Sequence, residues 1–155
     1  MDGKSLKPIL MSPSANPNDP VAVALKPYAL SQYMRCPADR GNASMYWKSN
    51  ACLMTDRTMF PFMGYSLRTA TWRYTEWVRW DGVRLLPIWG DLIGRELYSH
   101  VGDDGTDFDA FENVNEVETA PASVVAGLQA TLHAVVANQT RLPSFGLALH
   151  TSPSL

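Results

Sequence analysis

The stretch MGYSLRTATWRYTEWVRW, residues 63–80, decides the fold, because it predicts two antiparallel strands that meet at Ala70 and Thr71. Side chains alternate between the two faces of a strand, so the turn fixes which residues share a face. The cross-strand pairs expected on the first face are Thr69 with Trp72, Leu67 with Tyr74, Tyr65 with Glu76, and Met63 with Val78. This face is apolar except for Glu76 and should lie against a core.

The second face of this hairpin is polar and basic. It carries Ser66, Arg68, Arg73, Thr75, Trp77 and Arg79. We interpret it as a sheet face that is solvated or partly covered by another part of the protein. Ala-Thr is unfavourable in a two-residue turn, so a longer loop with the same pairing parity is an equal alternative.

Two further segments predict strands. YALSQY at 28–33 precedes a long excursion over 34–61, and GRELYSHV at 94–101 is a candidate third or fourth strand. The segment between the hairpin and GRELYSHV is DGVRLLPIWGD at 81–91, and we interpret it as a connector.

The segment after the acidic run predicts one long helix over residues 121–138, with Thr119 as a possible cap and Pro121 in its first turn. Its apolar positions form a single stripe made of Val124, Val125, Leu128, Leu132, Val135 and Val136. The fold class expected is therefore α+β: a small antiparallel sheet of about four strands with one long C-terminal helix packed on one face.

Length and composition limit the possible functions. The 155 residues are 46% hydrophobic and 18% charged, with a formal net charge of -2, as in one globular domain. We expect no nucleic-acid partner, because the arginines of the hairpin are balanced by nearby carboxylates. We also expect no membrane partner, since no apolar run is long enough to span a bilayer and no signal peptide is recognisable.

Motifs that carry chemistry are sparse. The three histidines, His100, His133 and His150, are far apart and predict structural or surface roles rather than a zinc site. The run GDDGTDFDAFENVNEVE at 102–118 lacks the pattern of a calcium loop and is interpreted as a solvated turn. No nucleophile elbow, phosphate loop or dinucleotide fingerprint is present.

Cys36 and Cys52 lie sixteen residues apart in the long excursion, and Asn42 between them begins the glycosylation sequon NAS. A disulfide would close this loop and contribute on the order of 3 kcal/mol, so we predict that the two cysteines are bridged. Two unrelated buried thiols and a chance sequon are the alternative.

Several of these segments, in their order, resemble the C-terminal part of formylglycine-dependent sulfatases, most closely the iduronate 2-sulfatase branch. The segments that carry the resemblance are DGKSLKPIL at 2–10, ALSQYMRCP at 29–37, MGYSLRTATWRYTEW at 63–77, GRELYSHVGDD at 94–104 and ENVNEV at 112–117. Together they extend over residues 2–116, about three quarters of the chain.

The resemblance implies that this chain is non-catalytic. In the family, the formylglycine nucleophile and the calcium site belong to the larger N-terminal domain, so no cofactor is expected in this chain. Residues 1–20 would be the end of the missing catalytic domain and a connector, 21–138 the C-terminal subdomain, and 139–155 a loose tail. CPADR at 36–40 fits a relaxed formylglycine motif, but its position in the subdomain favours a structural or disulfide role for Cys36.

Partners, location and substrate contacts also follow from the resemblance as expectations. The partners would be the chain's own catalytic domain and a sulfated glycan substrate, and the parent would be lysosomal or extracellular. Lys48 and Arg57 are candidate contacts at the rim of the substrate cleft, because a guanidinium and an ammonium both bind sulfate. Solvated loop charges, paired with Asp39 and Asp56, are the alternative for both residues.

A second function of another class stays open. The chain could be a stand-alone module that binds a sulfated glycan or a protein and has no enzymatic role. The gene sequence upstream of Met1 separates the two, because a parent sulfatase requires a metal-binding aspartate pair and a Cys-x-Pro-Ser-Arg motif there.

Overall fold

The computed structural model describes residues 5, 7–11, 20–35, 55–107 and 109–140. Its helices are α1 (Lys7–Met11), α2 (Pro20–Leu25) and α3 (Ala122–Thr140), with a short 3-10 helix at Arg57–Met59. Its strands are β1 (Ala29–Arg35), β2 (Phe62–Arg68), β3 (Trp72–Asp81) and β4 (Leu86–Ser99).

The four strands form one antiparallel sheet in the order β1-β2-β3-β4. The register between β2 and β3 matches the pairs expected from parity, with Leu67 opposite Tyr74, Tyr65 opposite Glu76 and Met63 opposite Val78. The α+β class with a four-stranded sheet and one long C-terminal helix is therefore confirmed.

The β2–β3 turn uses the unfavourable Ala70-Thr71 pair after all. The backbone N–H of Thr69 donates to the carbonyl of Trp72 at 2.8 Å, which closes a two-residue loop. Neither Ala70 nor Thr71 has a positive φ. Tertiary contact compensates for the weak turn chemistry, because the N–H of His100 donates to the carbonyl of Thr71 at 2.8 Å.

The core lies between α3 and the first face of the sheet. Its fully buried members from the sheet include Leu67, Tyr74 and Val78, and its fully buried member from α3 is Leu132. The whole buried cluster is Met63, Tyr65, Leu67, Tyr74, Val78, Leu97, Val125, Leu132 and Val136. The apolar stripe of α3 thus covers the predicted face.

Two local predictions are corrected. The 81–91 segment is not simply a connector, because β4 begins at Leu86 and continues the hairpin with β3 beyond a break in register near Val78. Thr119 does not cap α3; its hydroxyl donates to the carbonyl of Glu116 at 3.3 Å, and the helix begins after Pro121. The first difference arises from pairing between β3 and β4, which the periodicity within one segment does not indicate.

Candidate functional site

The second face of the sheet, opposite α3, carries a shallow groove that runs across all four strands. The cross-strand register aligns the residues of this face in three rows, which form the floor and the two walls of the groove. The floor row is Ser31, Ser66, Thr75 and Glu96; the first wall is Tyr33, Gly64, Trp77 and Gly94; the second wall is Ala29, Arg68, Arg73 and Tyr98. The groove encloses about 280 Å³.

Three of the four floor residues, Ser31, Ser66 and Thr75, have small hydroxyl side chains, and the fourth is Glu96. The hydroxyl of Thr75 donates to that of Ser66 at 2.9 Å. Thr75 is only 7% exposed although it lies on the open face, because taller side chains stand on both sides of it. A low floor between two walls can accept a narrow ligand with hydrogen-bonding groups.

Trp77 is the largest side chain of the first wall, and its ring lies against the surface of the sheet. Its ring covers Gly64 on β2, where an added Cβ would stand 2.5 Å from the Trp77 ring. Its Nε1–H donates to Glu96 Oε1 on β4 at 3.1 Å. Gly94, the cross-strand neighbour on the other side, has open space above it. Because Gly64 has no side chain, the indole can lie close to the backbone of β2. Because Gly94 has none either, space remains on the β4 side of the ring.

Other aromatic side chains extend this wall. Tyr33 and Phe62 contact Trp77 edge-on, with ring centroids 6.5 Å and 6.3 Å away. The Arg35 guanidinium stands 5.1 Å from the Trp77 ring centroid and 5.5 Å from that of Tyr33. Tyr33 remains 53% exposed, so it is the accessible ring of the group.

The second wall is charged. Arg73 Nε lies 2.6 Å from Glu112 Oε1, which makes an ion pair, yet the N–H is not directed at that oxygen and forms no hydrogen bond. Burial, followed by the carboxylates of Glu96 and Glu112, raises the pKa of Tyr98 above its ordinary value. A neutral phenol and a guanidinium that is paired with Glu112 therefore line this side of the groove.

A buried histidine anchors the loop behind this wall. His100 is 5% exposed, and its Nδ1 and Nε2 lie 2.7 Å and 2.8 Å from carboxylate oxygens of Asp103 and Glu112. A neutral imidazole has one N–H and can donate to only one of them at a time. Asp103 also pairs with Arg68 at 3.4 Å, and the hydrogen bond from His100 is the main cause of its lowered pKa.

A second polar cluster lies within the core, on the α3 side of the sheet. Glu76 is 1% exposed and accepts from the Tyr74 hydroxyl at 2.6 Å, from Gln129 at 2.7 Å and from His133 Nε2 at 2.7 Å. The His133 ring stacks on Trp89 at 4.0 Å. These bonds connect β3 to α3 and satisfy a carboxylate that would otherwise be costly to bury.

Only one predicted site residue lies within the described residues. Arg57 is exposed in the 3-10 helix, and its carbonyl accepts from Trp80 Nε1 at 2.8 Å. The groove does not include it. The other predicted residues, Lys48, Cys36, Cys52 and Asn42, lie outside the described residues, so the rim contact, the disulfide and the glycosylation site stay predictions.

Sequence reasoning missed both polar clusters. Asp103 and Glu112 were placed in a solvated turn, but they fold back onto His100 and two arginines of the sheet. A carboxylate on an otherwise apolar strand face and a histidine beside an apolar helix stripe were the signals for the Glu76–His133 pair. Nothing local in the sequence connects them, because they are 57 residues apart.

No protein-family model and no curated protein matches this chain. Within the described part of the chain, no helix has the length and apolar character needed to cross a membrane. The same residues contain no group of three or more His, Cys, Asp or Glu side chains arranged to hold a metal ion.

Proposed function

We propose that this chain is the non-catalytic C-terminal portion of a sulfatase resembling the iduronate 2-sulfatases, whose full-length parent hydrolyses sulfate esters on sulfated glycans. Four of the five sequence segments that resemble the family overlap the strands or the acidic loop that follows them, and the fifth, at 2–10, overlaps α1. In this proposal the chain contributes a surface beside the substrate cleft, and a separate domain contributes the nucleophile and calcium.

The observation that carries the proposal is the open outer edge of β4. Among the described residues no strand pairs with β4 on this side, and only its C-terminal part is covered, where Asn115 bonds the backbone of Arg95 and Leu97. Near the uncovered part, Ile88, Leu92 and Ile93 are 42%, 40% and 47% exposed. An unpaired edge with aliphatic side chains is suited to contact a larger domain.

The proposal is tested in two steps. The gene upstream of Met1 is first read for a metal-binding aspartate pair and a Cys-x-Pro-Ser-Arg motif. The encoded upstream domain is then co-expressed with this chain as a separate polypeptide, and turnover of a fluorogenic sulfate ester is measured. We expect turnover only when both polypeptides are present.

A matched pair of variants tests the surface. Ile93→Lys should abolish the restored turnover, because it buries a charge in the contact. Val83→Lys, at a 94% exposed turn residue, should leave turnover unchanged. Sulfatase turnover by the 155-residue chain alone, or an upstream gene without both motifs, would refute the proposal.

The stand-alone binding module remains the second candidate, and the open groove on the sheet face opposite α3 favours it, because such a groove can accept a ligand without a second domain. In this candidate the ligand is a sulfated glycan or a protein. Retention on heparin that weakens steeply with salt, together with an upstream gene lacking the sulfatase motifs, would support it.

A further inference from the structure

We propose that the groove across the open face of the sheet binds an uncharged stretch of a carbohydrate chain. This inference goes beyond the proposed function, because the chain is expected to bind such a saccharide by itself, with or without a catalytic domain. Three properties of the groove carry it: its shape, the arrangement of its polar and aromatic groups, and its charge.

The shape fits a narrow, extended ligand. The groove crosses four strands, so its length is about 14 Å at the usual strand spacing. Its floor of Ser31, Ser66 and Thr75 is low, and the space above Gly94 is open. A short oligosaccharide can lie along such a trough, whereas an α-helix, about 10 Å wide, is too thick to reach the floor.

The chemistry of the walls suits a sugar ring. A pyranose has an apolar C–H face and a rim of hydroxyl groups, so it pairs with an aromatic ring on one side and hydrogen-bonding groups on the other. Tyr33 and Trp77 provide aromatic rings along one wall. Facing them are the hydroxyls of the floor, the Glu96 carboxylate and the Tyr98 phenol, which offer both donors and acceptors.

Charge selects an uncharged ligand over a sulfated one. Two carboxylates, Glu96 and Glu112, and one guanidinium, that of Arg73, line the groove, and the Arg35 guanidinium stands over the rings of its aromatic wall. Arg73 is already paired with Glu112, and Arg68 beside it is paired with Asp103. The arginines of the second wall are therefore neutralised, and a sulfate on the floor beside them would meet the Glu96 carboxylate as a like charge.

The experiment is a binding screen with the full chain. Neutral hexasaccharides built from glucose, mannose, galactose and N-acetylglucosamine are titrated beside a heparin hexasaccharide, and tryptophan fluorescence and indole N–H resonances are followed. We expect at least one neutral hexasaccharide to bind with a Kd of about 1 mM or tighter. We expect its affinity to change little between low and moderate salt, since no phosphate-like charge is neutralised.

Variants test whether this binding occurs in the groove. Tyr33→Ala and Glu96→Gln should each weaken binding about fivefold or more, because one removes the accessible ring and the other a charged acceptor. Val114→Ala, at a 70% exposed residue that does not line the groove, should bind like the original chain. Far-UV circular dichroism checks that each variant is folded.

Three results would overturn the inference. The first is no binding by any neutral hexasaccharide at 10 mM, which is about ten times the expected dissociation constant. The second is tighter binding of the heparin hexasaccharide, which would make the groove a site for sulfated chains. The third is unchanged binding in both Tyr33→Ala and Glu96→Gln, which would place the ligand elsewhere.

Discussion

At the scale of single residues, two glycines that are equivalent in register have opposite surroundings. Gly64 and Gly94 are the cross-strand neighbours of Trp77 on either side. The indole lies over Gly64 alone, and the space at Gly94 is empty. Neither glycine has a positive φ, so alanine is compatible with both backbones and only packing separates the two substitutions.

This asymmetry gives the first prediction. Gly64→Ala should lower the free energy of unfolding by about 1–3 kcal/mol, because the new methyl group would displace the Trp77 ring. Gly94→Ala should leave stability unchanged or raise it by up to about 1 kcal/mol. Urea unfolding of both variants provides the measurement. Equal losses in the two variants would mean that Trp77 does not lie as described.

The second prediction at this scale concerns Glu76. Glu76→Leu should lower the free energy of unfolding by about 3–5 kcal/mol, because Tyr74, Gln129 and His133 would each lose an acceptor in or near the core. Urea unfolding followed by circular dichroism measures it.

The matched control for that prediction is Glu118→Leu. The Glu118 side chain is 83% exposed and its only ion pair among the described residues, with Arg95, is long at 3.9 Å. We expect this change to shift stability by no more than about 0.5 kcal/mol. If Glu76→Leu proved as mild as the control, water would have to reach the three donors and the cluster would not be buried.

At the scale of elements, the acidic loop after β4 is the one with the clearest dependence on pH. The Asp103 carboxylate accepts from His100 and from the backbone N–H of Gly105, and these hydrogen bonds lower its pKa. Its contribution to stability is therefore fully present above its unfolded pKa of about 3.9 and is lost as the pH falls through its lower folded pKa.

We predict that protonation of Asp103 in this loop causes part of the loss of folding stability in acid. Thermal unfolding midpoints measured from pH 6 to pH 2 should fall below about pH 4 more steeply for the original chain than for Asp103→Asn. Asp107→Asn is the control, because Asp107 is exposed and accepts only from the backbone N–H of Asp109 among the bonds described. Parallel curves for the original chain and Asp103→Asn would contradict the assignment.

Elements differ in how far the sequence alone predicts them. The β2–β3 register and the α3 stripe were predictable, because each follows from a periodicity within one contiguous segment. The full length of β4 was not, since its first half pairs across a break in register at Val78 and Arg79. In that irregular part, Trp89 packs against Tyr65 and His133, a contact that no local pattern indicates.

The candidate groove was predictable only in outline. Parity placed Ser66, Arg73, Thr75 and Trp77 on one face, which is correct for β2 and β3. Which residues of β1 and β4 line the groove depends on the register of these strands with β2 and β3. That register is set by pairing between residues that are distant in sequence. The loop residue Glu112 reaches Arg73 through a left-handed backbone conformation, with φ of 64°, that is uncommon for glutamate.

At the scale of the whole molecule, the sheet divides the described residues into a closed side and an open side. The closed side holds the apolar core and the Glu76 cluster under α3. The open side holds the groove; three of its arginines, Arg68, Arg73 and Arg79, are each matched by a carboxylate, and Arg35 stands over the Trp77 ring. Stability therefore depends mainly on one face and binding on the other, so most groove substitutions should leave the chain folded.

The closed side also gives a prediction for alkaline pH. Burial raises the pKa of Tyr65 to about 12, and burial with the nearby Glu76 carboxylate raises that of Tyr74 as well. A raised folded pKa means that the stabilising contribution is fully present below the unfolded value of about 10 and is lost as the pH rises toward the folded value.

Absorbance at 295 nm and far-UV circular dichroism should therefore show these two tyrosines ionising together with unfolding, between about pH 10 and 12. Tyr65→Phe should move the unfolding midpoint to higher pH, whereas Tyr33→Phe, at an exposed ring on the open side, should not. Ionisation of all six tyrosines near pH 10 in a chain that keeps its circular dichroism would show that the core does not exclude water from these phenols.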